Sequence, residues 1–203
     1  MISRTLEKKL RELAGYYPAV AVTGPRQSGK TTLCQMTYPE KPYLSLEALD
    51  VRDFARSDPR GFLAQYPGGV IIDEIQHVPE ILTYLQSNID AQPDPGRFIL
   101  TGSQHFGLSQ SIAQSLAGRC GILVLLPPSI KELRDFPSAP DDLFSLLWQG
   151  AYPRIYDRNI PAQQWLADYI ATYVQRDVRA RLTDLPVTPF EPCLTCSAGP
   201  TGP

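Results

Sequence analysis

Residues Gly24, Pro25, Arg26, Gln27, Ser28, Gly29, Lys30, Thr31 and Thr32 follow one another in the spacing G-x-x-x-x-G-K-[ST]. That is the spacing of a loop that grips phosphate, and the chemistry needs each part. Gly24 and Gly29 permit backbone conformations that turn successive N–H groups toward one anion. A helix opening inside the loop adds its partial positive charge. Lys30 is placed for the β- and γ-phosphate oxygens of ATP, Thr31 for Mg2+, and Thr32 for the α-phosphate. Arg26 is a further candidate for a phosphate or partner contact. The whole run from Gly24 to Thr32 is the candidate nucleotide-binding set.

A second set is Asp73-Glu74, at the end of the apolar run Val70-Ile71-Ile72. In parallel sheets, ligands sit at the carboxyl ends of strands. Asp73 there suits the organisation of Mg2+, together with Thr31, and Glu74 suits the group that orients and polarises an attacking water. Thr101, Ser103 and Gln104 form a third set, just past the run Phe98-Ile99-Leu100-Thr101. Ser103 is the best candidate there for a sensor of the γ-phosphate or the water; a Ser/Gly turn capping the next helix is the competing reading. Arg119 carries a guanidinium suited to charge developing on a transferring phosphoryl group. It acts within this chain, acts on a neighbouring subunit, or serves only as an ion pair or a surface arginine. The catalytic candidates are thus Glu74, Lys30, Ser103 and Arg119, and the metal candidates are Thr31 and Asp73.

The elements needed to position these groups are legible as alternating patterns. Thr5 to Leu13 has helical spacing, with Leu6, Leu10 and Leu13 on one face. Ala19 to Thr23 reads as a buried strand, Thr31 to Met36 as a helix start, and Tyr43 to Leu46 as a second strand. Asp58 before Pro59 caps a helix. Val70 to Ile72 is a third strand, and Pro79 opens a helix whose Ile81, Leu82, Leu85 and Ile89 share a face. Phe98 to Thr101 and Ile122 to Leu126 are the fourth and fifth strands, separated by a helix at Leu108, Ile112 and Leu116 that Gly118 ends. Uniformly apolar strands alternating with helices predict an α/β fold: a five-stranded parallel sheet with helices on both faces. After Pro128 only helical periodicity remains, at Leu143 to Trp148 and Trp165 to Leu182. Three regions are expected: a nucleotide-binding core at 1–128, a partial helical extension at 129–185, and a disordered tail at 186–203.

Composition narrows the function classes. With 19 Lys+Arg against 21 Asp+Glu, the net charge of -2 does not point to nucleic acid. No apolar run reaches the ~18 residues of a membrane span, and the N-terminus lacks a secretory pattern, so a cytoplasmic protein without a membrane partner is expected. Arg176, Arg179 and Arg181 read as a solvated helix end. His77 and His105 read as loop residues, and Cys193-x-x-Cys196 as half a zinc motif that binds nothing. Of the 20 prolines, five fall within 186–203, where Glu191 is the only charged residue.

The segments GPRQSGKTTL, GGVIIDEIQHVPEIL, FILTGSQ, SLAGR, LPPSIKEL, GAYPR and WLADYIATYVQRDVR together resemble one family. It is the prokaryotic AAA-like P-loop ATPases that usually carry a C-terminal domain of unknown function. The resemblance covers roughly Met1 to Leu185. It implies a P-loop NTPase sheet of the additional-strand type, in which the acid-bearing and sensor strands flank the nucleotide, together with MgATP binding and hydrolysis to ADP and phosphate. It assigns Lys30, Thr31, Asp73, Glu74 and Ser103 the roles argued above and leaves the role of Arg119 unfixed. A homo-oligomer is compatible with this reading, the oligomeric state being left open by the sequence, and a protein or DNA partner is expected to be reached through the C-terminal domain. The tail departs from the family pattern, and a truncated or degraded coding sequence, or a fragment, is expected. The alternative to an ATPase is an ATP-binding switch with negligible turnover. A small-molecule kinase is disfavoured, because a water-polarising glutamate would waste its donor.

Overall fold

The computed structural model describes residues 2–103, 112 and 114–172. Its order begins with α1 (Leu6–Ala14), β1 (Ala19–Gly24), α2 (Lys30–Thr37) and β2 (Tyr43–Ser45). Next come α3 (Leu49–Ser57), α4 (Pro59–Ala64), β3 (Val70–Asp73), a 3-10 turn at Ile75–His77, and α5 (Ile81–Ala91). The order continues through β4 (Phe98–Ser103), β5 (Cys120–Val124), α6 (Ile130–Leu133), α7 (Leu143–Gln149), α8 (Pro153–Asp157) and α9 (Ala162–Tyr169). The sheet is five-stranded in the order β2-β3-β4-β1-β5, and every pairing is parallel. This is the α/β architecture expected from the alternating pattern.

Because side chains alternate across a strand, the register divides the core in two. One layer holds Ala19, Ala21, Val70, Ile72, Phe98 and Leu100 against Phe62, Ile81, Leu82, Leu85 and Ile89 of α4 and α5. The other holds Val20, Val22, Ile71, Ile99 and Leu123 against Leu10 of α1 and Leu33 and Cys34 of α2. Such side chains are fully buried, so truncating Ile72 to alanine costs roughly 2–5 kcal/mol. Asp58 caps α4 as expected: its Oδ1 accepts from Gly61 N at 2.9 Å, and Pro59 opens the helix.

The same parity sets the site. Asp73 shares the α2 face with Ile71, and Thr101 and Ser103 share it with Ile99. Thr101 and Ser103 lie inside β4 and pair with Val22 and Gly24 of β1, rather than following the strand. The chain leaves β1 through α2 on one face and leaves β3 through α5 on the other. The β1 loop therefore opens where connections switch faces, the usual position of a ligand crevice.

The chain divides into two compact units, 1–157 and 158–203. The helices from Ile130 to Asp157 belong to the first unit. Within the second, α9 stacks Trp165 on Tyr169 with ring centroids 5.0 Å apart. Gln104, His105, Leu108, Arg176, Arg179, Arg181, Cys193, Cys196 and the tail at 186–203 lie outside the described residues.

Candidate nucleotide site

Gly24 ends β1 with φ 148°, and a Cβ placed on it would stand 2.1 Å from the carbonyl oxygen of Leu125. Only a residue without a side chain lets the loop leave the sheet that close to the backbone after β5. At the other end, Gly29 caps α2 in the left-handed region, with φ 92°, where glycine carries no Cβ penalty. Lys30 is the first residue of α2 and is buried. Its Nζ donates to the loop's own carbonyls, Gly24 O at 3.2 Å and Pro25 O at 2.9 Å. Burial pushes the ammonium pKa down, while the charges of Glu74 and Asp73 oppose that. The amine is thus held inside the loop and can exchange two weak carbonyl acceptors for phosphate oxygens, which bind a cation more strongly.

Opposite the loop, Asp73 is a collecting point for hydroxyls. Thr31 Oγ1 lies 3.0 Å from both carboxylate oxygens, and Tyr43 OH donates to Oδ2 at 2.8 Å. Thr101 Oγ1 donates to Oδ1 and in turn accepts from Glu74 N at 3.3 Å. One threonine hydroxyl on β4 therefore fixes both residues of the acid pair. Tyr43 carries no signal in the sequence beyond its place in a strand; Thr101 belongs to the third candidate set, and the structure gives it the contact with the acid pair.

Glu74 adopts φ 56° and ψ 47°. A left-handed non-glycine residue costs on the order of 1–2 kcal/mol and merits a functional reading when it adjoins a site. Here the turn breaks the strand's alternation immediately after Asp73. Its carboxylate Oε2 accepts from the Gln76 side-chain amide.

Two buried hydroxyls, Ser28 Oγ in the loop and Ser103 Oγ at the end of β4, have no hydrogen-bond partner among the described residues. Buried polar atoms are rarely left so, and both lie where the motif calls for phosphate or water. The paired oxygens of Thr31 and Asp73 are hard donors of the kind Mg2+ takes. Among the described residues no cluster of three or more His, Cys, Asp or Glu forms a self-contained metal centre.

The structure gathers Gly24, Pro25, Lys30, Thr31, Asp73, Glu74 and Ser103 at one end of the sheet. Thr32 is exposed and Gln27, with φ 60°, forms the exposed crest of the loop. Arg26 sits in the loop between Pro25 and Gln27, and its charge acts on Lys30. Arg119 is placed elsewhere. Its carbonyl accepts from Ala19 N at the start of β1, so about 17 Å of strand rise separates it from the loop. Its guanidinium grips Asp90 of α5 through two bonds, Nε–Oδ1 at 2.6 Å and Nη2–Oδ2 at 3.0 Å. The ion-pair reading is the one this geometry matches; contact with the loop of its own chain is not. Among the described residues Cys34 and Cys120 form no disulfide, and burial pushes the pKa of each thiol up to about 12.

A model of the AAA domain family matches residues 16–134. Two curated proteins, both described as uncharacterized, come from Mycobacterium tuberculosis and Mycobacterium bovis. Each is 32% identical over 177 residues, which cover 86% of this chain and 39% of the relative. The chain therefore spans about two-fifths of the length of these relatives. Among solved structures, the Walker-type ATPase paby2304 of Pyrococcus abyssi shares 18% identity at a TM-score of 0.48, over 83% of this chain and 63% of that one. RuvB from Thermotoga maritima shares 23% at 0.44, over 66% and 49%. The family match runs through the whole sheet, from β1 to β5, and the chain belongs to the AAA domain family as an ATP-binding P-loop module.

Proposed function

We propose that this module hydrolyses MgATP to ADP and phosphate and couples that turnover to a partner. The observation that carries the reading is the fixed acid pair. Asp73 is bound to Thr31 of the loop, and Glu74 is turned out of β3 by its left-handed backbone, with both tied to Thr101. In this reading Lys30 leaves the loop carbonyls for the β- and γ-phosphate oxygens, while backbone N–H groups of the loop, Gly29 among them, hold the β-phosphate. Thr31 and Asp73 hold Mg2+, which when bound neutralises charge on the phosphates. Glu74 orients the attacking water, Ser103 meets the γ-phosphate or that water, and Thr32 meets the α-phosphate. Arg26 contacts phosphate or a partner, and Arg119 serves as an ion pair within its own chain.

A second reading, an ATP-bound switch with negligible turnover, is favoured by one contact. Glu74 Oε2 is engaged by Gln76, so its carboxylate is not held ready for water. Both readings place the partner, protein or DNA, outside this sheet, in keeping with relatives much longer than the chain. They also admit a homo-oligomer. The site sits in a 1–128 core with helices following from 129, in a cytoplasmic protein. Among the described residues no helix is long and apolar enough to cross a membrane.

Phosphate release from MgATP by the wild-type chain and by Glu74→Gln separates the two. Hydrolysis predicts a loss of about 10²–10⁴-fold in the variant, with nucleotide binding retained. Binding without measurable release by either chain establishes the switch.

A further inference from the structure

Arg4 precedes α1 and lies far from the phosphate loop in sequence, yet its guanidinium reaches three separate segments. Nη1 donates to the carbonyl of Ser28 within the loop at 2.9 Å, and Nη2 donates to the carbonyl of Leu126 beyond β5 at 2.8 Å. Nε donates to Glu132 Oε1 at 3.2 Å, with the two side chains only 9% and 10% exposed. A planar fork with several fixed donors can serve three acceptors at once; an ammonium cannot do so in the same geometry.

Glu132 is held as firmly as Arg4. Its Oε1 also accepts from Thr5 N at 2.7 Å, and its Oε2 accepts from Ser129 N at 2.8 Å and Ser129 Oγ at 3.0 Å. Ser129 and Glu132 form the capping box that opens α6. The carboxylate therefore joins the chain's first residues to the start of the helices that follow the sheet. Through Arg4 that junction ends on the carbonyl of Ser28. The next residue is Gly29, where a Cβ would lie 3.7 Å from Arg4 Nη1.

A carbonyl fixed from outside sets the orientation of its peptide plane, and the N–H of Gly29 belongs to that same plane. This N–H is one of the donors the loop offers to phosphate. We propose that Arg4, clamped by Glu132, is a positioning residue for the phosphate loop: it pre-sets the Ser28–Gly29 peptide, so nucleotide affinity depends on the docking of the segment that opens α6. The inference rests on the loop binding nucleotide, not on hydrolysis. Because the β-phosphate is common to ADP and ATP, the clamp acts on the binding of both alike.

The test measures binding of ADP and ATP to the full chain, with thermal midpoints, for wild type, Arg4→Lys, Glu132→Gln and the double variant. Arg4→Lys keeps a charge for Glu132 but cannot bridge Ser28 and Leu126, and Glu132→Gln keeps the capping box but removes the charge. The proposal expects each single variant to lose affinity for ADP and ATP equally, roughly tenfold. The double variant is expected to be no weaker than the weaker single one, since the pair acts as a unit. Arg4→Lys is also expected to keep most of the wild-type midpoint. Unchanged ADP affinity in the folded variants overturns it, even if their midpoints fall, because Arg4 is then only a strut. Strictly additive losses, or a loss for ATP alone, overturn it as well. A wild-type chain that binds ADP without hydrolysing ATP leaves the clamp standing and counts only against the hydrolase.

Discussion

The hydroxyl of Tyr43 donates to Asp73 Oδ2 at 2.8 Å, across the junction of β2 and β3. Tyr43 pairs in register with Ile71 and Ser45 pairs with Asp73, so the phenol reaches along the sheet by one same-face position. Together with Thr31 and Thr101 it leaves the carboxylate little freedom to rotate. Groups that orient a metal ligand typically influence metal affinity about 10–100-fold. Tyr43→Phe removes only the hydroxyl. It should raise the Mg2+ concentration for half-maximal turnover about tenfold, while nucleotide binding without divalent cation stays as in wild type. A variant with wild-type Mg2+ dependence would show that Thr31 and Thr101 suffice.

The ion pair between Arg119 and Asp90 makes the opposite prediction for a residue whose chemistry suits a phosphoryl site. Arg119 is tied to α5 at the end of the sheet remote from the loop. Arg119→Ala and Asp90→Ala should each leave turnover per chain within about twofold of wild type, since a surface pair contributes little. A large loss in Arg119→Ala alone, shrinking as both chains are diluted and the wild-type rate per chain falls, would instead show the arginine acting on a neighbouring copy.

Gly24 permits a test of why the loop leaves the sheet as it does. An added methyl would strike the Leu125 carbonyl at 2.1 Å, whereas at Gly68 it would meet nothing within 4 Å. Gly24→Ala should therefore lose on the order of 3 kcal/mol in urea denaturation and Gly68→Ala much less. Equal midpoints would mean that the β1 and β5 backbones separate without penalty.

Glu132 predicts the acid limb of stability. Burial pushes its carboxyl up, but hydrogen bonds from Ser129 and Thr5 and the charge of Arg4 outweigh that and hold it at about 2, against an ordinary 4.5. Because the folded value is depressed, this contribution is complete above about pH 5 and disappears as pH falls through 4.5 toward 2; in size it is on the order of 3 kcal/mol. Urea midpoints at pH 7 and pH 3 should fall less in Glu132→Gln than in wild type. Parallel losses in both chains would place the acid sensitivity elsewhere.

What was readable in advance follows from the range of each interaction. The five apolar strands and the helices between them rest on short segments whose spacing is itself the signal, and the structure reproduces them as one parallel sheet. Strand β5 was expected at Ile122 to Leu126 but runs Cys120–Val124. The apolar run continues past its end, while Gly121 looks unlike a strand residue until its close approach to Tyr17 and Leu13 is seen. Helix α3 was missed because its short stretch buries only Ala55. The contacts of Arg4 with Glu132 and of Tyr43 with Asp73 join segments brought together by the sheet, and local spacing carries no trace of them.

In the proposed function the Gly24–Thr32 loop and the Asp73-Glu74 pair together turn over ATP. Steady-state phosphate release by the purified chain, with Lys30→Ala as the reference, is the decisive measurement. Lys30 Nζ donates to the loop carbonyls of Gly24 and Pro25, beside the expected phosphate position. Mg2+-dependent release is expected from wild type and none above background from a folded Lys30→Ala variant. Equal release by the two chains would contradict it.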